Sequence, residues 1–286
     1  MMLENKTIPI YVSTTAIGNK SLTKTVKQFN KFGIKNIELS YGVYEKNFKK
    51  VFNRLSKKNN FLFHNYFPKP KKNFVINLAS FNKGIRLQSI KFIKKNIDFC
   101  SKNGINFYSF HSGFLIDPKP EHLGSEIPKI VIQPRDKSVK LFINTIKSIA
   151  KYADERKIKL FIENNVISKQ NLIKFKKNPL LMTNPKEIKK IMSKLPNNVR
   201  LLMDVAHLKV SSKTLKFDLI KSFKYLSRYT GAYHLSDNNG IIDNNKNSDD
   251  KIFKNALRKA LPLEKKVSLQ NISSLVYYLS ENNNSI

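Results

Sequence analysis

Leu201-Leu202-Met203-Asp204-Val205-Ala206-His207 is a short apolar run that ends in ionisable residues. Short runs rich in β-branched and aromatic residues are typical of buried strands. Similar runs recur along the chain, and the longer Lys-bearing stretches between them carry apolar residues at the helical period. This alternation predicts repeated βαβ units and a parallel sheet.

The pattern predicts eight strands, and a chain of 286 residues suits an eight-fold barrel, which needs roughly 250 residues. The predicted strands are Ile8 to Ser13, Ile37 to Ser40, Phe61 to Tyr66, Asn106 to His111, Leu160 to Glu163, Val199 to Asp204, Ala232 to Leu235 and Val267 to Leu269. The clearest predicted helices are Lys24 to Phe32, Ile85 to Lys102 and Ser138 to Arg156. We therefore expect an α/β fold, a (β/α)8 TIM barrel, with residues 1–286 in one domain.

The chain is strongly basic, with 53 Lys plus Arg against 20 Asp plus Glu, a formal charge of +33. Such a surface ordinarily suggests a polyanionic partner. Only seven of these residues are Arg, however, and the Lys are spread along the whole chain beside Asn and Ile. Binding grooves concentrate charge and favour Arg for phosphate. We interpret the charge as a solvated surface and keep nucleic-acid binding as the alternative.

A single cysteine, Cys100, excludes an intramolecular disulfide framework and a Cys-rich metal cluster. The N-terminal residues show no basic segment followed by an apolar stretch, and no run of about 18 apolar residues occurs. Neither a signal peptide nor a membrane span is indicated. We expect a cytoplasmic protein.

Four of the five histidines end or closely follow strand-like runs, while His122 lies in a predicted loop. Carboxylates take the matching position elsewhere, as Glu38 does in Ile37-Glu38-Leu39-Ser40. Ionisable groups at buried strand ends are costly unless they are paired or bind a metal. In a closed barrel the carboxyl ends of the strands meet at one mouth.

Six groups at these strand ends together predict a metal site suited to zinc, manganese or a similar ion. They are His64, His111, Glu163, Asp204, His207 and His234. Taken singly, each histidine also fits a hydrogen-bonded structural residue, but that interpretation weakens for a set at equivalent positions.

Five motifs in order give the chain a resemblance to the xylose isomerase-like barrel superfamily, which holds sugar isomerases and epimerases and the endonuclease IV type of apurinic-site nuclease. The motifs are Phe63-His64-Asn65-Tyr66, Ser109-Phe110-His111-Ser112-Gly113, Ile162-Glu163-Asn164, Leu202-Met203-Asp204-Val205-Ala206-His207 and His234-Leu235-Ser236-Asp237-Asn238. They span the third to seventh predicted strands.

The resemblance implies that Glu163, Asp204 and His234 bind one divalent ion. In epimerase-type members a Glu at the end of the eighth strand is the fourth ligand and a catalytic carboxylate. Here Gln270 takes that position, and a glutamine oxygen can bind a metal but is not a general base. This assignment depends on the strand register, because a shifted strand would bring Glu264 or Glu281 to the mouth.

The leading hypothesis is a metal-dependent sugar or sugar-phosphate isomerase or epimerase that uses Mn, Zn, Mg or Co and acts by proton transfer on a hydroxy-carbonyl substrate. Glu163 is then the best carboxylate for proton transfer, His207 positions a substrate oxygen, and His64 and His111 supply hydrogen bonds. The segments Ser112 to Arg135 and Val166 to Thr183 cover the substrate, with Arg135 or a nearby Lys holding a phosphate or carboxylate. Assembly into a homo-oligomer is left open.

Two alternatives remain. The first is an apurinic-site endonuclease, in which His64, His111 and Glu163 form one metal site. The nuclease pattern needs His207 with an Asp-x-His pair at a further site, and this chain has Asp243-Asn244-Asn245 there. The second is a catalytically weakened barrel kept for binding, which Gln270 supports.

Overall fold

Short strands with alternating inward and outward side chains build a closed barrel. The computed structural model describes residues 10–17, 20–40, 42–122, 127–236 and 238–243, together with the backbone of 275–278. Within these residues the strands are β1 (Ile10–Ser13), β2 (Asn36–Leu39), β3 (Asn60–His64), β4 (Phe107–His111), β5 (Lys159–Glu163), β6 (Val199–Asp204), β7 (Thr230–Leu235) and β8 (Leu275–Tyr278). They close in sequence order, from β1 to β8 and back to β1.

Helices follow the strands and cover the outside of the barrel. In the described residues they are α1 (Leu22–Lys31), α2 (Phe48–Leu55), α3 (Lys83–Lys102), α4 (Arg135–Asp154), α5 (Lys169–Phe175), α6 (Pro185–Met192), α7 (Val205–Leu215) and α8 (Leu219–Leu226). Short 3-10 turns lie at Thr14–Ile17, Pro120–His122 and Ser227–Tyr229. None of the described helices is both long and apolar enough to cross a membrane.

The first seven predicted strands are confirmed, with ends that differ by no more than two residues, and they pair in parallel. The three clearest predicted helices are confirmed as α1, α3 and α4. The (β/α)8 TIM barrel fold is therefore established, whereas the single domain over residues 1–286 stays a prediction.

The eighth strand differs from the expectation. The predicted stretch Val267 to Leu269 lies outside the described residues, and the strand that closes the barrel is Leu275–Tyr278. It runs antiparallel to both β1 and β7. Its carboxyl end therefore lies at the opposite end of the barrel from the carboxyl ends of β1 to β7.

Outward-facing aromatic side chains fix β3 against the helices that cover it. Phe63 on β3 and Phe52 on α2 are almost fully buried, and their ring centroids lie 5.6 Å apart. Phe99 on α3 completes the cluster, with centroids 5.1 Å from Phe52 and 5.3 Å from Phe63. Because successive strand residues point to opposite faces, anchoring Phe63 outward directs His64 into the barrel.

Replacing Phe52 by Ala should lower the free energy of unfolding by about 3–5 kcal/mol, because the change leaves a cavity among packed rings. Urea denaturation followed by circular dichroism measures this loss. The control is Phe81→Ala, since Phe81 is 44% exposed and its loss should change stability by no more than about 0.5 kcal/mol. Equal effects of the two substitutions would contradict the role of the cluster.

Candidate metal centre

Strand register brings the predicted site residues to one end of the barrel. His111 at the end of β4 is the pairing partner of Glu163 on β5, and Asp204 at the end of β6 is the partner of His234 on β7. Paired positions on neighbouring strands point to the same face of the sheet. These side chains therefore all project into the mouth of the barrel.

Glu163 lies at the centre of the cluster and is 1% exposed. Its Oε1 is 2.9 Å from Nδ1 of His234 and 3.6 Å from Nδ1 of His207. Its Oε2 is 3.2 Å from Nε2 of His64 and 3.3 Å from Nδ1 of His111. Four imidazoles from four different elements thus surround one buried carboxylate.

The hydrogen bonds of His64 show which of its nitrogens is free to bind a metal. The Ser109 hydroxyl donates to the carbonyl of Phe63 at 3.3 Å and lies 2.9 Å from Nδ1 of His64. With its own proton used, this hydroxyl accepts from Nδ1–H. Neutral His64 therefore directs the lone pair of Nε2 towards Glu163.

Glu163 Oε2 has no hydrogen-bond partner among the described residues, although it is buried beside two imidazoles. A buried carboxylate oxygen facing a nitrogen lone pair is costly unless a cation lies between them. This unsatisfied atom and the imidazole and carboxylate donors fit a divalent ion of the zinc or manganese type.

Asp204 is held at the mouth by the start of α7. Its Oδ1 accepts from the backbone N–H of His207 at 2.8 Å as the N-cap of that helix. The Asn164 side chain accepts from the Asp204 N–H at 2.9 Å and donates to the Asp204 carbonyl at 3.1 Å. Asp204 Oδ2 lies 3.8 Å from Nε2 of His207 and 3.8 Å from Nδ1 of His234.

The two ring nitrogens of His207 contact different partners. Nδ1 donates to the carbonyl of Asn164 at 2.8 Å, and Nε2 lies 3.0 Å from Oδ2 of Asp243. Asp243 thus joins the cluster, while Asn245, the missing member of the nuclease pattern, lies outside the described residues.

Glu38 at β2 is a site residue that the sequence analysis noted at a strand end but left out of the ligand set. It is 1% exposed, and its Oε1 lies 2.9 Å from Nε2 of His234. Glu38 Oε2 is a second buried carboxylate oxygen without a hydrogen-bond partner among the described residues.

Three groups of described residues bring ligand atoms close enough to hold a metal ion. They are Glu38, His64 and His234; His64, His111 and Glu163; and Glu163, Asp204 and His207. The structure thus brings together His64, His111, Glu163, Asp204, His207 and His234, as predicted. Gln270, the predicted fourth ligand, lies outside the described residues and stays a prediction.

Burial and neighbouring charges shift the pKa values of the clustered residues in opposite directions. Burial alone would raise the pKa of Glu163, but His111, His234 and His64 hold it well below its usual value. Burial raises the pKa of Asp204 to about 7. Burial lowers the pKa of His111 to about 4.

The pKa values of His207 and His234 are raised, in contrast to that of His111. Burial opposes their charged forms, but the carboxylates beside them outweigh it and raise both pKa values well above 6.5. The partners are Asp204 and Asp243 for His207, and Glu38 and Glu163 for His234. The metal-free cluster therefore holds these two imidazoles as cations.

A cavity of about 350 Å³ opens above the cluster. His111 and His207 line its floor, and Asn65 contributes a buried Oδ1 that has no hydrogen-bond partner among the described residues. Asn65 adopts a left-handed backbone with φ of 52°, which Asn tolerates better than most residues. The sequence analysis missed this residue as a lining group.

The two segments predicted to cover the substrate do line this cavity, through Phe114 and Ile127 of one and Val166 and Leu180 of the other. The role expected for Arg135 is wrong. Its guanidinium pairs with Glu187 at 2.5 Å and donates to the carbonyls of Asn178 and Leu180. Arg135 therefore links the second segment to α6, and both of its terminal nitrogens donate there.

The fold and the site together define a class of protein: closed α/β barrels with potential metal ligands, imidazoles and carboxylates, gathered at the mouth. The chain belongs to the xylose isomerase-like TIM barrel family, whose model matches residues 26–262. The resemblance stated from the motifs is thus confirmed.

Solved structures show the same fold at low sequence identity. A D-tagatose 3-epimerase-like protein is 17% identical, with 87% of this chain and 84% of that chain covered and a TM-score of 0.62. A 3-keto-D-glucoside 4-epimerase from E. coli is 11% identical, with 87% of each chain covered and a TM-score of 0.59. A Thermus thermophilus protein soaked with zinc chloride is 15% identical, with 84% and 82% covered and a TM-score of 0.55. No curated protein sequence matches the chain.

The raised pKa values predict how the stability of the metal-free protein depends on pH. A group whose pKa is higher in the folded protein than in the unfolded chain stabilises the folded state. The stabilisation is fully present below the pKa of the unfolded chain and is lost as pH rises through the pKa of the folded protein. For His207 and His234 the loss begins near pH 6.5. The shifts of His111 and His64 act below that pH, because their folded pKa values are lowered.

The free energy of unfolding in chelator should therefore fall between pH 7 and 8.5, at up to about 1.4 kcal/mol per pH unit for each histidine. Urea denaturation at several pH values measures the slope. The variant His234→Gln should show a shallower slope than the wild type. A wild-type stability that is flat or rises over this range would contradict the pairing of these imidazoles with carboxylates.

Proposed function

We propose that the chain is a metal-dependent isomerase or epimerase that acts on a sugar or sugar phosphate by proton transfer. The observation that carries the proposal is the buried Glu163 carboxylate, which faces four imidazoles and keeps one oxygen without a hydrogen-bond partner. The cavity directly above this cluster is where a small substrate would lie.

Glu163, Asp204 and His234 would hold the ion, with Gln270 as the predicted fourth ligand. Glu163 and Asp204 provide charge, and Nδ1 of His234 lies 2.9 Å from Glu163 and 3.8 Å from Asp204. When bound, a divalent ion supplies Lewis acidity that polarises a carbonyl and lowers the cost of losing a proton from the neighbouring carbon.

Proton transfer falls to side chains that reach the cavity. His111 and His207 are the members of the predicted catalytic set that line it, on either side of Glu163. We assign to them the exchange of protons with substrate carbon and oxygen, and the Asn164 carbonyl and Asp243 orient the ring of His207. His64 is almost fully buried, and its Nε2 lies 3.2 Å from Oε2 of Glu163.

A carbohydrate fits the cavity better than a larger ligand. A volume of about 350 Å³ lies at the lower end of the range for small-molecule sites. Asn65 and Asp243 supply polar atoms, and Phe114 and Ile127 supply an apolar wall. The epimerases with the same fold, which are named for sugars, support this substrate class.

The metal-free protein should take up one divalent ion per chain, and the double variant Glu163→Ala, Asp204→Ala should take up none. Titration with Zn²⁺ or Mn²⁺ and elemental analysis after gel filtration measure the stoichiometry. Asp98→Asn is the control, because Asp98 pairs with Arg156 away from the cluster and its loss should leave ion binding as in the wild type. Absence of ion binding by the wild type would contradict the proposal.

Turnover should appear as exchange of a substrate C–H for deuterium. Ketohexoses and their phosphates are incubated with the metal-loaded protein in D2O, and NMR follows loss of the signal on the carbon beside the carbonyl. The substitutions His111→Gln and His207→Gln should each lower kcat by about 10²–10⁴, the usual contribution of a general acid or base. Loss of turnover with the ion retained would assign these rings to proton transfer, and unchanged rates would remove them from that role.

A multi-metal phosphodiesterase is a second candidate. Two observations favour it: the separate His64, His111 and Glu163 group, and the contact of 3.0 Å between His207 and Asp243. Such chemistry needs metals about 3.5–4 Å apart to stabilise the attacking and leaving oxygens. Two or three ions per chain, with cleavage of DNA containing an apurinic site, would favour this candidate over the isomerase.

A further inference from the structure

Glu38 is a buried carboxylate that none of the proposed roles above uses. It projects inward from β2 and reaches across the barrel to His234 on β7, with Oε1 2.9 Å from Nε2. Burying a carboxylate is costly unless a charged or hydrogen-bonding partner compensates. His234 is that partner, and it is also a proposed ligand of the metal.

His234 lies between two carboxylates. Nδ1 is 2.9 Å from Oε1 of Glu163, and Nε2 is 2.9 Å from Oε1 of Glu38. An imidazole that gives the lone pair of Nδ1 to an ion keeps its remaining proton on Nε2. Glu38 is ideally placed to accept that proton in a hydrogen bond.

We propose that Glu38 is a positioning residue of the metal centre that acts through His234. It fixes the tautomer with the proton on Nε2, holds the plane of the ring, and makes Nδ1 a stronger donor towards the ion. A carboxylate that accepts from the second nitrogen of a ligating histidine raises the basicity of the ligand. The inference rests on the proposed metal centre and adds a residue to it.

Glu38 could instead bind the ion directly, but that arrangement and the positioning role both require Nε2 of His234. An ion beside Glu38, His64 and His234 would need the lone pair of Nε2 and would leave the proton on Nδ1, facing Glu163. On the Glu163 side further ligand atoms are close by. Asp204 Oδ2 lies 3.8 Å from Nδ1 of His234 and 3.8 Å from Nε2 of His207, and Glu163 Oε1 lies 3.6 Å from Nδ1 of His207. The larger donor set favours the ion there and leaves Glu38 as the acceptor.

The surroundings of Glu38 suit a rigid acceptor. Its strand partner on β1 is Ser13, and the Ser13 and Ser40 hydroxyls lie 2.6 Å apart, linking the ends of β1 and β2. The strand partner on β3 is Leu62, two residues before His64. Because its strand is paired on both sides, the Glu38 side chain has little freedom to move with the His234 ring if that ring changes position.

The first measurement is Zn²⁺ affinity, by competition with a chromophoric chelator, for wild type, Glu38→Gln and Glu38→Ala. We expect one ion per chain in each case. Loss of a partner of this kind typically weakens metal binding by about 10- to 100-fold, and we expect a value in this range for Glu38→Ala. Glu38→Gln keeps an oxygen acceptor without its charge and should lose less.

A matched control is Glu187→Gln, which also neutralises a buried carboxylate but one paired with Arg135. It should bind Zn²⁺ as the wild type does even if its stability falls. Wild-type affinity in Glu38→Ala would overturn the role of Glu38. Complete loss of the ion in Glu38→Gln would also overturn it, because that result would make Glu38 a direct ligand.

The second measurement is the tautomer of His234, which a merely structural role of Glu38 would not set. The chain has only five histidines, so ¹⁵N-labelled rings can be assigned with the variant His234→Gln. In the zinc-loaded wild type and in Glu38→Gln, His234 should carry its proton on Nε2. In Glu38→Ala the protected Nε2–H signal should be lost, and its persistence would overturn the proposal.

These results separate the two proposals. A wild type that binds no ion overturns both the metal centre and the role of Glu38. A wild type that binds one ion, with unchanged affinity and His234 signal in Glu38→Ala, overturns only the role of Glu38.

Discussion

Burial of the Glu163 carboxylate is the constraint on which the mouth of the barrel depends. The effective cost of taking one ion out of water is several kcal/mol, and attraction repays it only with good geometry. Glu163 Oε1 meets this condition through its 2.9 Å contact with Nδ1 of His234, whereas Oε2, which faces His64 and His111, has no hydrogen-bond partner among the described residues. The ionisable groups at the mouth therefore form one coupled system, because His234 contacts both Glu163 and Glu38, and moving this ring would leave both buried carboxylates uncompensated.

Strand register is what makes this coupling achievable. A shift of one residue would turn a whole strand's inward side chains outward. The pairs His111 with Glu163 and Asp204 with His234 leave no such freedom, because the opposite faces of the same strands carry core residues such as Phe110 and Met203. Packing outside the barrel thus determines the chemistry inside it, and the aromatic cluster behind β3 is one instance.

Local periodicity was enough to predict seven strands, the main helices and the six ionisable groups at the mouth, because the pattern of a strand is contained in a few consecutive residues. The direction of β8 depends on how the barrel closes, which no local pattern records, although Leu275-Val276-Tyr277-Tyr278 has the β-branched and aromatic character of a strand. Glu38 was visible at a strand end, but its partner lies 196 residues away. Arg135 was misjudged because its partner Glu187 belongs to another helix.

The net charge of +33 and the proposed binding of a cation are reconciled by distance. At physiological ionic strength, exposed charges farther apart than about 8 Å are largely screened, while buried pairs are screened much less. The cluster gathers Glu38, Glu163, Asp204 and Asp243 around His207 and His234, so carboxylates dominate the potential inside the mouth. The solvated lysines determine the electrostatic interaction of the whole molecule with large polyanions. An ion inside the barrel would instead interact mainly with the carboxylates within a few ångströms of it.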